Sequence, residues 1–119
     1  MDAMDLGSTI NQAEADAALS CTHQGITFHG HRIKDLDFSD RDLADVFFAG
    51  AWIESTTFKG SQCEGTSFYC SDLTNVDFSG ADLRKTNFKG ANIVACNFEG
   101  IQAPYWKKLY LRYKNTKNR

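Results

Sequence analysis

A cysteine and three histidines lie close together near the start of the sequence and could in principle bind a metal ion. Cys21, His23, His29 and His31 follow the spacing CxHx5HxH. Thiolate and imidazole groups are zinc ligands, but this spacing matches no familiar zinc pattern. We therefore interpret the four side chains as polar groups at an irregular start of the fold and expect no metal.

The other groups that could do chemistry show no catalytic arrangement. Cys63 and Cys96 fall at positions predicted to point inward, Cys70 falls at a turn, and no base accompanies them in sequence. A reactive thiol needs such a neighbour to lower its pKa. The aspartates recur at one position of a repeat and should form a solvated surface, and the glycines recur at turns. The sequence thus predicts a protein that is not an enzyme, with no catalytic residues and no cofactor.

Three large aromatic residues occupy positions that would otherwise be polar. Phe47, Trp52 and Tyr69 each lie beside a predicted core position and should point outward. Single exposed apolar side chains are normal, whereas a contiguous exposed patch tends to mark an interaction site. We predict that the three form one patch around a corner and bind a protein partner, although the N-terminal segment could instead cover them.

These residues are positioned by a five-residue repeat that runs from Ile26 to Gly100. Fifteen units follow one another without insertion or deletion, each reading small, polar, large, variable, turn former. Internal repeats of this kind decide the fold. The large position alternates between a smaller group and a phenylalanine, and these core phenylalanines are Phe28, Phe38, Phe48, Phe58, Phe68, Phe78, Phe88 and Phe98.

A period of five fits neither a helix, whose face repeats every 3.6 residues, nor a strand, whose face repeats every two. It is satisfied when each unit is a short extended segment and the chain turns a corner at the Gly, Asn or Asp that ends the unit. Four such units would close a square coil. Stacked coils would place Phe68 above Phe48 and fill the centre with side chains.

The run resembles the pentapeptide-repeat family, whose motif is A(D/N)Lxx. The cleanest copies are Ala81-Asp82-Leu83 and Ala91-Asn92-Ile93, and the resemblance covers residues 26–100. It implies an all-β solenoid, a right-handed quadrilateral β-helix of about four coils. The handedness is implied by the resemblance alone.

Segments of different composition flank the repeat. Residues 1–25 contain a predicted helix over 9–20, with Thr9 and Gln12 as its capping-box residues. In residues 101–119, Pro104 should open a second helix. We expect both helices to cap the stack, because a repeat array needs its ends covered. The capping face of the second helix is predicted from the i, i+3, i+4, i+7 spacing of Trp106, Leu109, Tyr110 and Tyr113.

The C-terminal segment has two other interpretations. The helix could join two copies of the chain into a homodimer, or its six bases, with no acid beside them, could form an arm for nucleic acid or an acidic membrane. The cap is favoured, so we expect no direct nucleic-acid binding and no membrane. In the first coil, His31 and Arg41 fall at inward positions, and we expect Arg41 to reach out or to pair with Asp37 or Asp42.

The whole chain of 119 residues has a formal net charge of −2, which argues against general nucleic-acid binding. No leader peptide or membrane-spanning run is visible, and four cysteines without an export signal favour the cytoplasm. The sequence therefore predicts a non-enzymatic protein–protein interaction module, monomer or homodimer, with an unidentified partner. The family resemblance adds an alternative, a DNA mimic that binds a type II topoisomerase such as gyrase and modulates quinolone sensitivity. A structural fragment of a larger assembly is the third interpretation.

Overall fold

The structure, a computed structural model, describes residues 8–20 and 26–115. Five short strands and two helices follow one another along this part of the chain. They are β1 (Thr9–Ile10), α1 (Gln12–Leu19), β2 (Arg32–Lys34), β3 (Trp52–Glu54), β4 (Asp72–Thr74), β5 (Asn92–Val94) and α2 (Tyr105–Lys114).

The five strands form one parallel sheet in the order β1-β2-β3-β4-β5. Ile33 lies against Ile53, Ile53 against Leu73, and Leu73 against Ile93. Each residue therefore pairs with the residue four repeat units further along. Such pairing requires the chain to return to the same place after every four units, so the sheet is built from successive turns of one coil.

Three more lines of isolated parallel bridges keep the same spacing, for example from Phe47 to Ser67 and from Asp77 to Asn97. We call the four lines rows 1 to 4. Row 1 consists of residues 26–30, 46–50, 66–70 and 86–90, and rows 2, 3 and 4 follow it in five-residue steps. Row 2 contains β2 to β5. The chain is thus a parallel β-solenoid, as the period of five predicts.

Phenylalanine rings from rows 1 and 3 fill the interior. Within row 1, the rings of Phe48 and Phe68 lie 5.1 Å apart and 5° from parallel. Across to row 3, the rings of Phe58 and Phe68 lie 5.4 Å apart at 88°. Stacked and edge-to-face pairs are both favourable arrangements. The phenylalanines from Phe28 to Phe88 at this position are at most 3% exposed, whereas Phe98, in the last unit, is partly buried.

Buried hydroxyl groups satisfy main-chain carbonyls of the turn before them. Thr66 Oγ1 donates to the carbonyl of Leu43, and Thr86 Oγ1 donates to the carbonyl of Cys63, each over 2.7 Å. Both carbonyls belong to row 4. The equivalent carbonyl of the last complete turn, that of Leu83, needs its side-chain donor from outside the repeat.

Helix α1 covers the first end of the stack, with a different cap from the predicted one. The N-cap residue is Asn11 rather than Thr9, and Glu14 rather than Gln12 completes the capping box. Thr9 instead extends the sheet below β2. Gln12 Nε2 donates to the carbonyl of Asp37 over 2.9 Å, and Gln12 Oε1 accepts from the amide of Asp37 over 2.7 Å. One side-chain amide thus takes the place of the peptide group that a preceding turn would supply.

Replacing Gln12 with alanine is expected to lower the free energy of unfolding by about 1–2 kcal/mol, because the two main-chain groups of Asp37 lose their partner. Urea denaturation measures the change. Gln62→Ala is the matched control: this glutamine is exposed in row 4, and its truncation should change the stability by no more than about 0.5 kcal/mol. Equal midpoints for the two variants would contradict the role assigned to Gln12.

The two polar residues at inward positions of the first turn both find partners in the N-terminal segment. His31 is 5% exposed, and its Nδ1 lies 3.2 Å from Ser8 Oγ. Arg41 pairs with Asp16 of α1, so the prediction of Asp37 or Asp42 as its partner is wrong. Arg41 lies at the open end of row 4, where the helix can reach it. Hydrogen bonds from Gln12 and then Arg41 hold the pKa of Asp16 below its ordinary value.

Helix α2 covers the other end, and the predicted capping face is wrong. Its buried residues are Lys107 and Leu111, and Tyr110 is partly buried against the core. Three of the four residues predicted to cover the stack instead point to solvent, namely Trp106, Leu109 and Tyr113. Pro104 is the N-cap residue, one position before the first helical residue.

The reason for the reversed face is the polar rim of the last turn. Lys107 Nζ donates to the carbonyls of Leu83, Arg84 and Thr86 over 2.8, 3.3 and 2.7 Å. Asn115 Oδ1 accepts from the amide of Cys96 over 3.0 Å, and its Nδ2 donates to the carbonyl of the same residue over 2.8 Å. Buried main-chain groups must be paired. Lys107 and Asn115 supply the partners, so the side of α2 that carries them faces this end.

Candidate interaction surface

The three outward aromatic residues of the shaft are exposed to a similar degree. Phe47 is 44%, Trp52 47% and Tyr69 45% exposed. Each lies beside a buried residue of the core, namely Phe48, Ile53 and Phe68. The strict alternation of inward and outward side chains in these units holds the aromatic rings outside while their neighbours fill the interior.

The main-chain pairing brings the three residues to neighbouring places. Phe47 forms a parallel bridge with Ser67, and Tyr69 follows two residues later in the same row. The amide of Gly50 donates to the carbonyl of Tyr69 over 2.9 Å, and Trp52 follows Gly50 by two residues, around the corner in row 2. We call these three residues the shaft patch.

Trp52 has a positively charged neighbour in the turn below it. Arg32 pairs with Trp52 in the sheet, and its guanidinium carbon lies 4.7 Å from the centre of the indole ring. A cation over an aromatic face is attracted to the ring. The contact restricts the indole on one side of the shaft patch and adds a positive charge at its edge.

Row 1 differs from the other rows in charge. Its four segments, ITFHG, VFFAG, TSFYC and TNFKG, contain no carboxylate, and Lys89 is their only lysine or arginine. Each of the other three rows carries several acids. The shaft patch therefore lies mainly on the one row that presents aromatic and uncharged polar groups to solvent.

An open cleft of about 280 Å³ lies where row 1 meets α2. The last segment of row 1 forms one wall, and α2 forms the other. Burial lowers the pKa of Lys107, which borders this cleft. Its lining residues are Thr86, Asn87, Phe88, Lys89, Trp106, Lys107 and Tyr110.

Within the described residues, no group of three His, Cys, Asp or Glu side chains is placed to hold a metal ion. Cys21 and His23 of the sequence pattern lie outside those residues, and His31 bonds to Ser8. Burial raises the pKa of the thiols of Cys63 and Cys96 to about 11 in each case. Neither would form the thiolate that a nucleophile needs near neutral pH.

Sequence reasoning missed a second exposed aromatic surface, on α2. Tyr105, Trp106, Leu109 and Tyr113 all point away from the stack and are 77, 65, 43 and 83% exposed. We call these four residues the α2 stripe. Helical spacing identified three of them as one face but could not show which side of the helix meets the core. The signal that could have shown it is Lys107, the first base after the repeat.

Comparisons with known proteins agree with this architecture. The family model of pentapeptide repeats matches residues 48–84 and 61–100, with eight copies. A pentapeptide repeat protein from the Arabidopsis thaliana thylakoid lumen has a similar structure, with 24% identity, a TM-score of 0.52, and coverage of 82% of this chain and 80% of that chain. No curated protein matches the chain.

Two other solved structures match with lower TM-scores. A pentapeptide repeat protein from Nostoc PCC 7120 has 18% identity and a TM-score of 0.34, covering 85% of this chain and all of that one. QnrB1, a plasmid-mediated fluoroquinolone resistance protein, has 16% identity and a TM-score of 0.34, covering 76% of this chain and 70% of that one. The fold that the Arabidopsis thaliana comparison supports is a right-handed β-helix of this repeat type.

Proposed function

Because the repeat region of this chain belongs to the pentapeptide-repeat family, we propose that the protein is a non-enzymatic interaction module that binds another protein through the shaft patch. The observation that carries the proposal is the exposure of Phe47, Trp52 and Tyr69 at neighbouring positions of an otherwise polar shaft. Aromatic side chains of this kind supply most of the binding energy at many protein interfaces.

The rigidity of the shaft supports this use of the patch. The main chain beneath the three aromatic residues is held by hydrogen bonds between turns, such as that from Trp52 to the carbonyl of His31 over 2.9 Å. A main chain held in this way loses little further freedom when a partner binds. Because row 1 carries no acid, we propose an apolar or uncharged surface as the matching part of the partner, with an acid of the partner facing Arg32.

The test compares partner binding by the parent chain and by a variant of the shaft patch, whose new residues occur elsewhere in the same rows. The variant carries Phe47→Ser, Trp52→Asn and Tyr69→Ala. Each new residue is the one that the chain itself has at the equivalent position one or two turns away, namely Ser67, Asn92 and Ala49 respectively. The triple variant should fold like the parent. Its affinity for a partner captured by the parent should fall by more than about tenfold, since an interface anchor contributes about 2 kcal/mol or more.

The control changes three outward residues on the opposite rows. Thr57→Ala, Lys59→Ala and Gln62→Ala leave the shaft patch intact and should retain the partner. Binding that survives the patch variant but is lost in the control variant would place the interface on rows 3 and 4 and contradict the proposal. Circular dichroism of both variants shows that the fold is retained.

The same two variants test the DNA-mimic alternative. A mimic of duplex DNA would inhibit supercoiling by gyrase through its acidic rows, so the patch variant should remain as active as the parent in that assay. Repeat residues 26–100 carry eleven acids and seven bases, a mild excess for such a role. A protein-binding role through the shaft patch predicts no inhibition of gyrase.

We also propose that this interaction module is located in the cytoplasm.

A further inference from the structure

The α2 stripe faces away from the stack and has basic residues along one edge. At about 100° per residue in a helix, Leu109 lies nearly opposite the buried Lys107 and Leu111. The stripe around Leu109 therefore lies on the outer surface of the end, and its four side chains are exposed. Lys108 and Arg112 are both exposed and follow one side of the stripe.

The molecule is strongly polarised between this end and the remainder. Residues 101–119 carry six bases and no acid, whereas residues 1–100 carry seven bases and fifteen acids. The formal net charge of −2 hides this separation. The apolar stripe thus lies in the one strongly positive segment of a chain that is otherwise acidic.

From this combination we propose that the α2 stripe docks on an anionic lipid bilayer, with the acidic shaft directed away from it. Tryptophan and tyrosine favour the headgroup region of a bilayer, and a helix that buries an apolar face there with bases beside it binds at the interface. Lysine and arginine near the surface are attracted to anionic lipids. The absence of a membrane partner was expected from sequence because the aromatic side chains were assigned to the core; their exposure removes that reason.

The geometry favours a docked helix over a spanning one. Helix α2 has 10 residues, and no helix in the described part of the chain is long and apolar enough to cross a bilayer. Successive turns of the solenoid are separated by about 4.8 Å. Acids two or more turns below α2 therefore lie farther from a docked bilayer than the screening length of about 8 Å at physiological ionic strength, so its negative charge repels them only weakly.

Two other binding partners, a second copy of the chain and a nucleic acid, match the α2 stripe and its basic residues less well. A second copy of the chain, placed stripe to stripe, would bring the exposed Lys108 and Arg112 of both copies together without an acid of α2 between them, and like charges across an interface are unfavourable. A nucleic acid would find bases and aromatic rings, but on a convex helix with Leu109 at its centre rather than in a groove that follows a strand. A long polyanion would also meet the acidic shaft.

The experiment uses the full chain with Trp52→Phe, which leaves Trp106 as its only tryptophan. It is mixed with vesicles of phosphatidylcholine alone or of equal parts phosphatidylcholine and phosphatidylglycerol. Co-sedimentation and a blue shift of Trp106 fluorescence are expected with the anionic vesicles only, and both should weaken as salt is raised. This surface is separate from the shaft patch, so either proposal can fail alone.

Charge reversal provides the matched variants. Lys108→Glu with Arg112→Glu should lower the partition onto anionic vesicles by more than about tenfold. Lys34→Glu with Lys59→Glu makes the same change in net charge at exposed positions far from α2 and should alter the partition by less than about threefold. Circular dichroism shows that each variant is folded.

Three outcomes would overturn the proposal. One is equal or absent binding to the two kinds of vesicle. Another is tighter binding to a single-stranded oligonucleotide than to the anionic vesicles. The third is a solution mass, measured by light scattering, of twice that of the chain and halved by Leu109→Asp, which would assign the stripe to a homodimer.

Discussion

Phe68→Ala is expected to lower the free energy of unfolding by about 3–5 kcal/mol, the usual cost of truncating a buried phenylalanine. The ring of Phe68 is fully buried and contacts four other rings. Its stacked neighbours Phe48 and Phe88 lie at 5.1 and 5.3 Å, and its perpendicular neighbours Phe58 and Phe78 both lie at 5.4 Å. The main chain on all four sides is paired to adjacent turns and cannot collapse into the gap, so the cavity term should be large.

Urea denaturation monitored by circular dichroism measures this effect. Tyr69→Ala, one residue away but 45% exposed, is the control and should cost less than about 1 kcal/mol. Phe98→Ala provides a second comparison: its ring is only partly buried in the last unit, and the loss should be smaller than at Phe68. Similar losses for Phe68 and Tyr69 would show that the interior is not a tightly packed column of rings.

Replacing Lys107 with alanine should lower the free energy of unfolding by about 2–4 kcal/mol, because hydrogen bonds from a charged donor are strong and three carbonyls would each lose one donor. Lys107 Nζ serves the carbonyls of Leu83, Arg84 and Thr86. In the preceding turns a threonine hydroxyl from the next turn bonds to the row-4 carbonyl. The position twenty residues after Thr86 is Trp106, and the ammonium group of Lys107 supplies all three bonds.

Two companion variants separate the donors of Lys107 from its volume. Lys107→Met keeps an unbranched apolar stem of similar length but has no donor, so most of the loss should remain. Lys108→Ala removes a neighbouring base that is exposed and should cost no more than about 0.5 kcal/mol. Full stability of Lys107→Met would mean that packing, and not the hydrogen bonds, holds α2 on the stack.

The repeat made the core and the outward positions predictable from sequence. Once the period of five is recognised, Phe68 must lie above Phe48 and Phe47 must point outward, because no insertion shifts the register. The contact between Arg32 and Trp52 could also have been predicted, since Arg32 lies four repeat units before Trp52. Each of these relations is a fixed offset along the chain.

The residues that cover the ends of the stack could not be predicted from a fixed offset along the chain. The contacts at the ends join groups that become neighbours only after the chain has coiled. They are made by the side chains of Gln12, Arg41, Lys107 and Asn115. Helical periodicity grouped Trp106, Leu109 and Tyr113 correctly as one face, but hydrophobicity assigned that face to the core. The polar rim of a solenoid end, rather than its aromatic interior, decides which residues cover it.

The contacts that cover the two ends do not depend on how many turns lie between them. Gln12 and Asn115 each pair with the amide and carbonyl of a single residue, and Lys107 bonds to three carbonyls. Main-chain groups are the same in every turn, whatever side chains a turn carries. A whole turn could therefore be removed from or duplicated within the middle of the chain without altering the contacts at either end. Such a family of longer and shorter proteins would keep both ends while changing the distance between them.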